Sequence, residues 1–160
     1  MCGDSCRPAF GGTIAVLFPP AQSANSDAAL SSSPQSMAVQ STIASMFSFY
    51  LYFFNGEGNT RAFFQMKDEA TYRAMQSFER IDIRIEKSGD ITQSLEAAPL
   101  KEYKLALDPS KAGAGDSKEI EFMLPFRLDL NVSEHGVIGR QVTVREVGGS
   151  VLAIGVIGYN

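Results

Sequence analysis

The sequence predicts a mainly β domain, either an antiparallel β-sandwich of the jelly-roll type or a partly closed barrel. Three observations support this class: apolar and polar residues alternate in several short segments after residue 46, turn-forming residues separate those segments, and a single segment has helical spacing. Short connections favour antiparallel pairing. We therefore expect eight to nine antiparallel strands and one short helix near residues 68–79.

The N-terminal segment, residues 1–45, differs in composition from the rest of the chain. It is rich in Ser, Ala, Pro and Gly, and its only charged residues are Asp4, Arg7 and Asp27. Such a segment has too little apolar surface to order itself, so we predict a flexible N-terminal arm. We accordingly predict a single β domain over residues 46–160.

The arm could instead be a leader peptide. A short apolar run, Phe10–Phe18, precedes Ala21-Gln22-Ser23, which has the small residues of a signal-peptide cleavage site. Glycine and proline pairs interrupt the run, which weakens this interpretation. The two cysteines, Cys2 and Cys6, also lie in this segment, and we interpret them as thiols of the arm.

The first hairpin is predicted from FSFYLYFFNGEGNTRAFFQM, Phe47 to Met66. Its alternation assigns one set of side chains to the core, namely Phe47, Phe49, Leu51 and Phe53, and leaves Tyr50, Tyr52 and Phe54 on the opposite face. Asn and Gly residues at the centre favour a turn. The uncharged run that begins at Met37 barely reaches the length of a membrane span, and its polar residues argue against one.

The helix is predicted in KDEATYRAMQSFER. Asp68 is a suitable N-cap, and Ala70, Tyr72, Met75 and Phe78 recur at helical spacing.

The remaining strands are predicted from further alternating segments: 80–87, 91–96, 99–108, 119–132, 140–147 and 150–158. In the segment 119–132 the alternation continues from Ile120 to Val132, so we expect one continuous strand. Pro125 cannot donate a ladder hydrogen bond, which indicates an edge strand or a bulge. The last segment is apolar on both faces, so both faces are expected to be buried or covered by a partner.

Composition and motifs argue against several functions. The net charge of −4 and the lack of a basic run argue against nucleic-acid binding. His135 is the single histidine, and no nucleophile elbow accompanies it, so we do not expect an enzyme. Carboxylates on outward strand positions, Asp82 with Glu86 and Glu119 with Glu121, are interpreted as solvated faces with ion pairs. No cofactor or metal site is predicted.

Surface pattern is the remaining functional signal. One predicted strand has aromatic residues on both faces, and another has apolar residues on both faces. Only one face of each can pack against the core of a single sheet, and association between copies would bury the other. We therefore expect a non-enzymatic structural or assembly protein that self-associates or docks in a larger complex. The predicted interaction residues are Tyr50, Tyr52, Phe54, Phe63 and Tyr103. The alternative is a secreted or membrane-tethered module that binds a small ligand or glycan, with the same residues except Phe54 lining its cleft.

Overall fold

Eight antiparallel strands form one continuous, nearly closed barrel-like sheet in the described part of the chain. The structure is a computed structural model that describes residues 12–20, 48–92, 98–107 and 118–160. The elements are β1 (Gly12–Leu17), β2 (Phe49–Asn55), β3 (Thr60–Met66), α1 (Glu69–Gln76), β4 (Arg80–Ile85), β5 (Lys101–Ala106), β6 (Glu119–Met123), β7 (Gln141–Glu146) and β8 (Val151–Tyr159). The strand order is β5-β4-β7-β8-β1-β2-β3-β6, so β5 and β6 are the two edges. The predicted β class is confirmed, in its partly closed barrel form.

The interior of the barrel is filled by the inward residues of the alternating strands, together with residues of α1 and of the segment that follows β6. The largest fully buried side chains are Phe49, Phe53, Phe64, Leu17, Leu51, Met75, Ile81, Ile83, Ile85, Leu124 and Ile157. The first hairpin is confirmed, with β2 and β3 paired from Phe49–Met66 to Asn55–Thr60. Phe47, which was predicted to join this core, lies outside the described residues.

The strand β1 corrects the prediction for the N-terminal segment. It lies between β2 and β8 and pairs with both, with Ala15 opposite Leu51 on one side and Ile157 on the other. Ala15 and Leu17 are fully buried. The prediction of a flexible arm is therefore wrong for residues 12–17, while residues 1–11 and 21–45 of that arm lie outside the described residues. Cleavage at the predicted site would remove β1 from the sheet.

The long strand β8 joins the two halves of the sheet. Its first part pairs with β7 as far as Val156, and its last part pairs with β1 from Ile157 onward. At this changeover a Cβ on Gly155 would overlap the backbone oxygen of Val16. The absence of a side chain therefore lets β1 approach β8 closely.

The helix prediction is confirmed. Asp68 is the N-cap, and its side chain accepts a hydrogen bond from the Thr71 backbone N–H at 2.7 Å. Met75 enters the core, whereas Ala70, predicted for the same face, is exposed. Thr71 is buried in its place.

The segment after β6 departs from the predicted continuous strand. The strand ends at Met123, two residues before Pro125, and Phe126 and Val132 are 69% and 68% exposed. The chain turns because Pro125 lacks an N–H and cannot extend the ladder. β6 is nevertheless an edge strand, as that proline indicated.

The predicted strand 91–96 is not found in its described part, because Ile91 and Thr92 form a turn. Residues 93–97 lie outside the described residues, as do Cys2 and Cys6.

Candidate functional site

The outer surface of the first hairpin carries four of the five predicted interaction residues. Tyr50, Tyr52 and Phe54 project outward from β2, and Phe63 projects outward from β3 beside Tyr52. All four are half-buried. We call this surface, with the outward residues of β1, the aromatic face. The alternation of β2 produces it, since every second residue of that strand fills the interior.

The four rings contact one another in sequence. The Tyr50 and Tyr52 ring centroids are 6.2 Å apart, and Tyr52 stacks on Phe54 at 6.2 Å with 14° between the ring planes. Phe63 meets Phe54 edge-on at 5.7 Å. Aromatic rings at these separations attract one another, so the four rings stabilise one another's positions without contacts to the core.

The strand β1 extends the aromatic face on its other side. Ile14 lies opposite Tyr52, and Val16, which is 36% exposed, lies opposite Tyr50. Gly12 lies under the Phe54 ring, where a Cβ would come within 2.5 Å of Phe54 Cε1. The sequence prediction missed these three residues because it treated the segment as an arm. The apolar run TIAVLF was the available signal.

Positively and negatively charged side chains border the aromatic face on the side of β3 and β6. Arg61 lies 5.6 Å from the Phe63 ring centroid and pairs with Glu121 at 3.6 Å. Lys67 Nζ lies 5.0 Å from the Tyr50 ring centroid. The predicted cross-strand ion pairing of Glu121 is therefore observed.

Tyr52 links the rings to this polar border. Its hydroxyl donates to Gln65 Oε1 at 3.3 Å, and Gln65 Nε2 donates to Glu119 Oε1 at 3.0 Å. Burial raises the pKa of Tyr52 above its ordinary value, and the neighbouring Tyr50 and Glu119 add to the effect. The phenol therefore stays protonated at neutral pH and keeps its donor.

Tyr103, the fifth predicted residue, is not part of the aromatic face. Tyr103 lies on β5, opposite Ile83 of β4. Its side chain points into the interior and is 4% exposed. Burial raises the pKa of its phenol, and its hydroxyl has no hydrogen-bond partner among the residues that the structure describes.

The outward face of β4 and β7 also differs from expectation. Glu86 was predicted on a solvated face, yet it is 8% exposed and forms an ion pair at 2.6 Å with Arg84, which is 9% exposed. Gln141 and Thr143 beside them are buried, and Gln141 Nε2 donates to Thr143 Oγ1 at 3.2 Å. Alternation identifies which face a residue occupies but not whether that face is covered, so the sequence prediction was wrong here.

The polar loop around His135 has a different geometry from a catalytic triad. His135 is exposed, and the nearby Ser133 hydroxyl donates to Asp129 Oδ2 at 2.8 Å. Hydrogen bonds from Ser133 and Asn131 lower the pKa of Asp129 below its ordinary value. Within the ranges that the structure describes, no cluster of three metal-ligating side chains occurs.

Comparison with known proteins adds no identity to these features. Among the described residues, no helix has the length and apolar character needed to cross a membrane. The chain matches no known protein family and no curated protein.

Proposed function

We propose that this chain is a non-enzymatic structural or assembly protein whose aromatic face binds a second copy of itself. The observation that supports this proposal is the position of the row Tyr50, Tyr52, Phe54 and Phe63. These rings lie on the outside of a sheet whose interior is already packed with other side chains. They therefore contribute contacts to one another while retaining exposed apolar edges that a partner can cover.

The flanking strands make the apolar area continuous. Ile14 and Val16 border the row on β1, and Met123, which is 57% exposed, lies beyond the row on β6, opposite Arg61. Large apolar areas with a polar border are typical of protein interfaces, in which aromatic residues supply much of the binding energy.

The charges of the border favour a second copy as the partner. Arg61 and Lys67 supply positive charge, and Glu119 and Glu121 supply negative charge, so the border is balanced. In a two-fold dimer each patch meets its own copy, and a border with both signs can pair with itself. A strongly acidic or basic partner would leave one sign unpaired.

The test is the oligomeric state of the full chain, measured by size-exclusion chromatography with light scattering. We expect a dimer for the native chain and a monomer for Tyr52→Lys, because a lysine there places an unpaired charge among the rings. Loss of a central aromatic contact weakens an interface by about 2 kcal/mol or more, roughly 30-fold in Kd.

Phe126→Lys is the matched control. Phe126 is an exposed aromatic residue outside the aromatic face, so this variant should remain a dimer. Circular dichroism checks that both variants keep the β fold. A native chain that stays monomeric at high concentration, or a folded Tyr52→Lys variant that remains dimeric, would contradict the proposal.

The alternative function, a module for small ligands or glycans, was predicted with Tyr103 in the lining. Because Tyr103 lies in the interior, a single cleft that joins it to Tyr50, Tyr52 and Phe63 has no support in the fold. A ligand site would have to lie elsewhere on the barrel.

A further inference from the structure

We infer that a cleft at one end of the barrel binds a neutral, hexose-based saccharide. The cleft has a volume of about 650 Å³, and its lining includes Asn55, Arg127, Asp129, Asn131 and Tyr159. Pockets of this size accommodate small ligands. The cleft shares Gly12 with the aromatic face but none of its four rings, so the inference does not depend on the proposed self-association.

The floor of the cleft is held by hydrogen bonds between the first hairpin and the loop after β6. Asn55 Nδ2 donates to the Leu128 backbone oxygen at 3.0 Å, and the Leu128 N–H donates to Thr60 Oγ1 at 2.8 Å. Thr60 Oγ1 in turn donates to Asn55 Oδ1 at 2.5 Å. This closed set of bonds fixes the loop against the barrel, so the cleft exists before any ligand arrives.

The polar groups of the cleft are also oriented in advance. Asn131 Nδ2 and Ser133 Oγ both donate to the Asp129 carboxylate, each at 2.8 Å. The Asn131 backbone N–H also bonds to this carboxylate. A carboxylate has about four acceptor positions, so acceptor capacity for a ligand remains. Arg127 donates one N–H to the Gly56 backbone oxygen at 3.0 Å, and a guanidinium has further donors to offer.

This combination matches the chemistry of a sugar. Each hydroxyl both donates and accepts, so neighbouring hydroxyls can bond to Asp129 and Arg127 together. The two side chains have opposite charges, which favours a neutral ligand over an anion or a cation. Tyr159 is 63% exposed and lines the same cleft, and an aromatic ring offers a flat apolar surface on which a sugar ring can pack.

The test is a titration of the full chain with cellobiose, maltose and lactose, followed by amide chemical shifts in NMR spectra. We expect saturable binding of at least one sugar with a Kd on the order of 1 mM, with shifts centred on the residues of the cleft. Tyr159→Ala and Asp129→Asn should each weaken that binding by about tenfold or more.

Two controls make the result specific. Phe126→Ala removes an exposed aromatic side chain of the same loop that does not line the cleft, and it should leave the Kd unchanged. Arg127→Gln provides a second lining variant should Tyr159→Ala disturb β8. Inorganic phosphate tests the alternative that Arg127 recruits an anion.

The proposal is overturned if none of the three sugars binds saturably, or if the shifts centre on the aromatic face. It is also overturned if binding survives both Tyr159→Ala and Arg127→Gln in the folded protein. Binding of phosphate without sugar would assign the cleft to anions instead.

Discussion

Arg140 shows how one side chain can organise a loop that has little regular structure. Its Nε donates to the Gly136 backbone oxygen at 2.8 Å, and its Nη2 donates to that of Glu134 at 2.7 Å. Its Nη1 also donates to the Lys87 backbone oxygen. These carbonyls do not belong to a strand ladder, and the guanidinium supplies them with protein donors. A lysine has one ammonium group in place of this planar fork and could not reach the same set.

Asp68 is the residue for which the structure predicts a pH-dependent effect. Hydrogen bonds from the Thr71 backbone lower the pKa of Asp68 below its ordinary value of 3.8. Its contribution to stability is therefore present above that ordinary value and is lost as the pH falls through the lower pKa of the folded state. At pH 7 we expect Asp68→Ala to reduce the free energy of unfolding by about 1 kcal/mol, the usual cost of losing an N-cap.

Urea denaturation of the native chain and Asp68→Ala across a pH series measures this effect. The difference between them should shrink as the pH falls below 3.8. Asp68→Asn is the control, since asparagine also caps a helix but does not titrate. A constant difference between the native chain and Asp68→Ala down to the acid limit would contradict the assignment.

At the scale of elements, β1 is the strand on which the closure of the sheet depends. All six residues of β1 pair with β2, and β1 also pairs with the end of β8. Its alternating pattern is only six residues long and stands between glycine and proline pairs, which are typical of loops and leaders. Pairing on both sides is a property of the tertiary structure, so the sequence pattern alone did not predict a central strand.

We expect a fragment of residues 46–160 to lose cooperative folding. It lacks β1, so β2 and β8 each lose the partner on one side, and the interior space of Ala15 and Leu17 is left unfilled. Truncating a single buried leucine costs 2–5 kcal/mol, and a whole domain has only about 5–15 kcal/mol of stability. Circular dichroism and thermal unfolding of the fragment and the full chain measure the loss.

Val16→Thr in the full chain is the control for this experiment. It changes an outward residue of β1 and keeps the strand, so it should fold cooperatively. A fragment 46–160 that unfolds cooperatively at the temperature of the full chain would show that β1 is dispensable.

At the scale of the whole molecule, the two faces of the sheet have different roles. The inward residues of β2 complete the core of the barrel, while its outward residues form the aromatic face. A surface that associates couples folding to concentration, since binding of one copy stabilises the folded state of the other.

We therefore predict that the unfolding temperature of the native chain rises with protein concentration. In a two-state dimer each tenfold increase adds about 1.4 kcal/mol per dimer, or about 0.7 kcal/mol per chain, which corresponds to roughly 1.5–3 °C for a chain of this size. Calorimetry at concentrations two decades apart gives the measurement. Phe126→Lys should show the same dependence and Tyr52→Lys none; an unfolding temperature that is independent of concentration in the native chain would contradict association.

The sequence by itself determined the β class, the first hairpin, the capped helix and the inward or outward face of most strand residues. These follow from local periodicity and from the chemistry of turns and caps, which act over a few residues. The tertiary structure alone decided which strands are neighbours and which outward faces are covered. It placed β1 at the centre, buried Arg84 and Glu86, turned the chain after Met123, and separated Tyr103 from the aromatic face. The reason is that a two-residue period distinguishes the faces of a strand but has no information about what lies against either face.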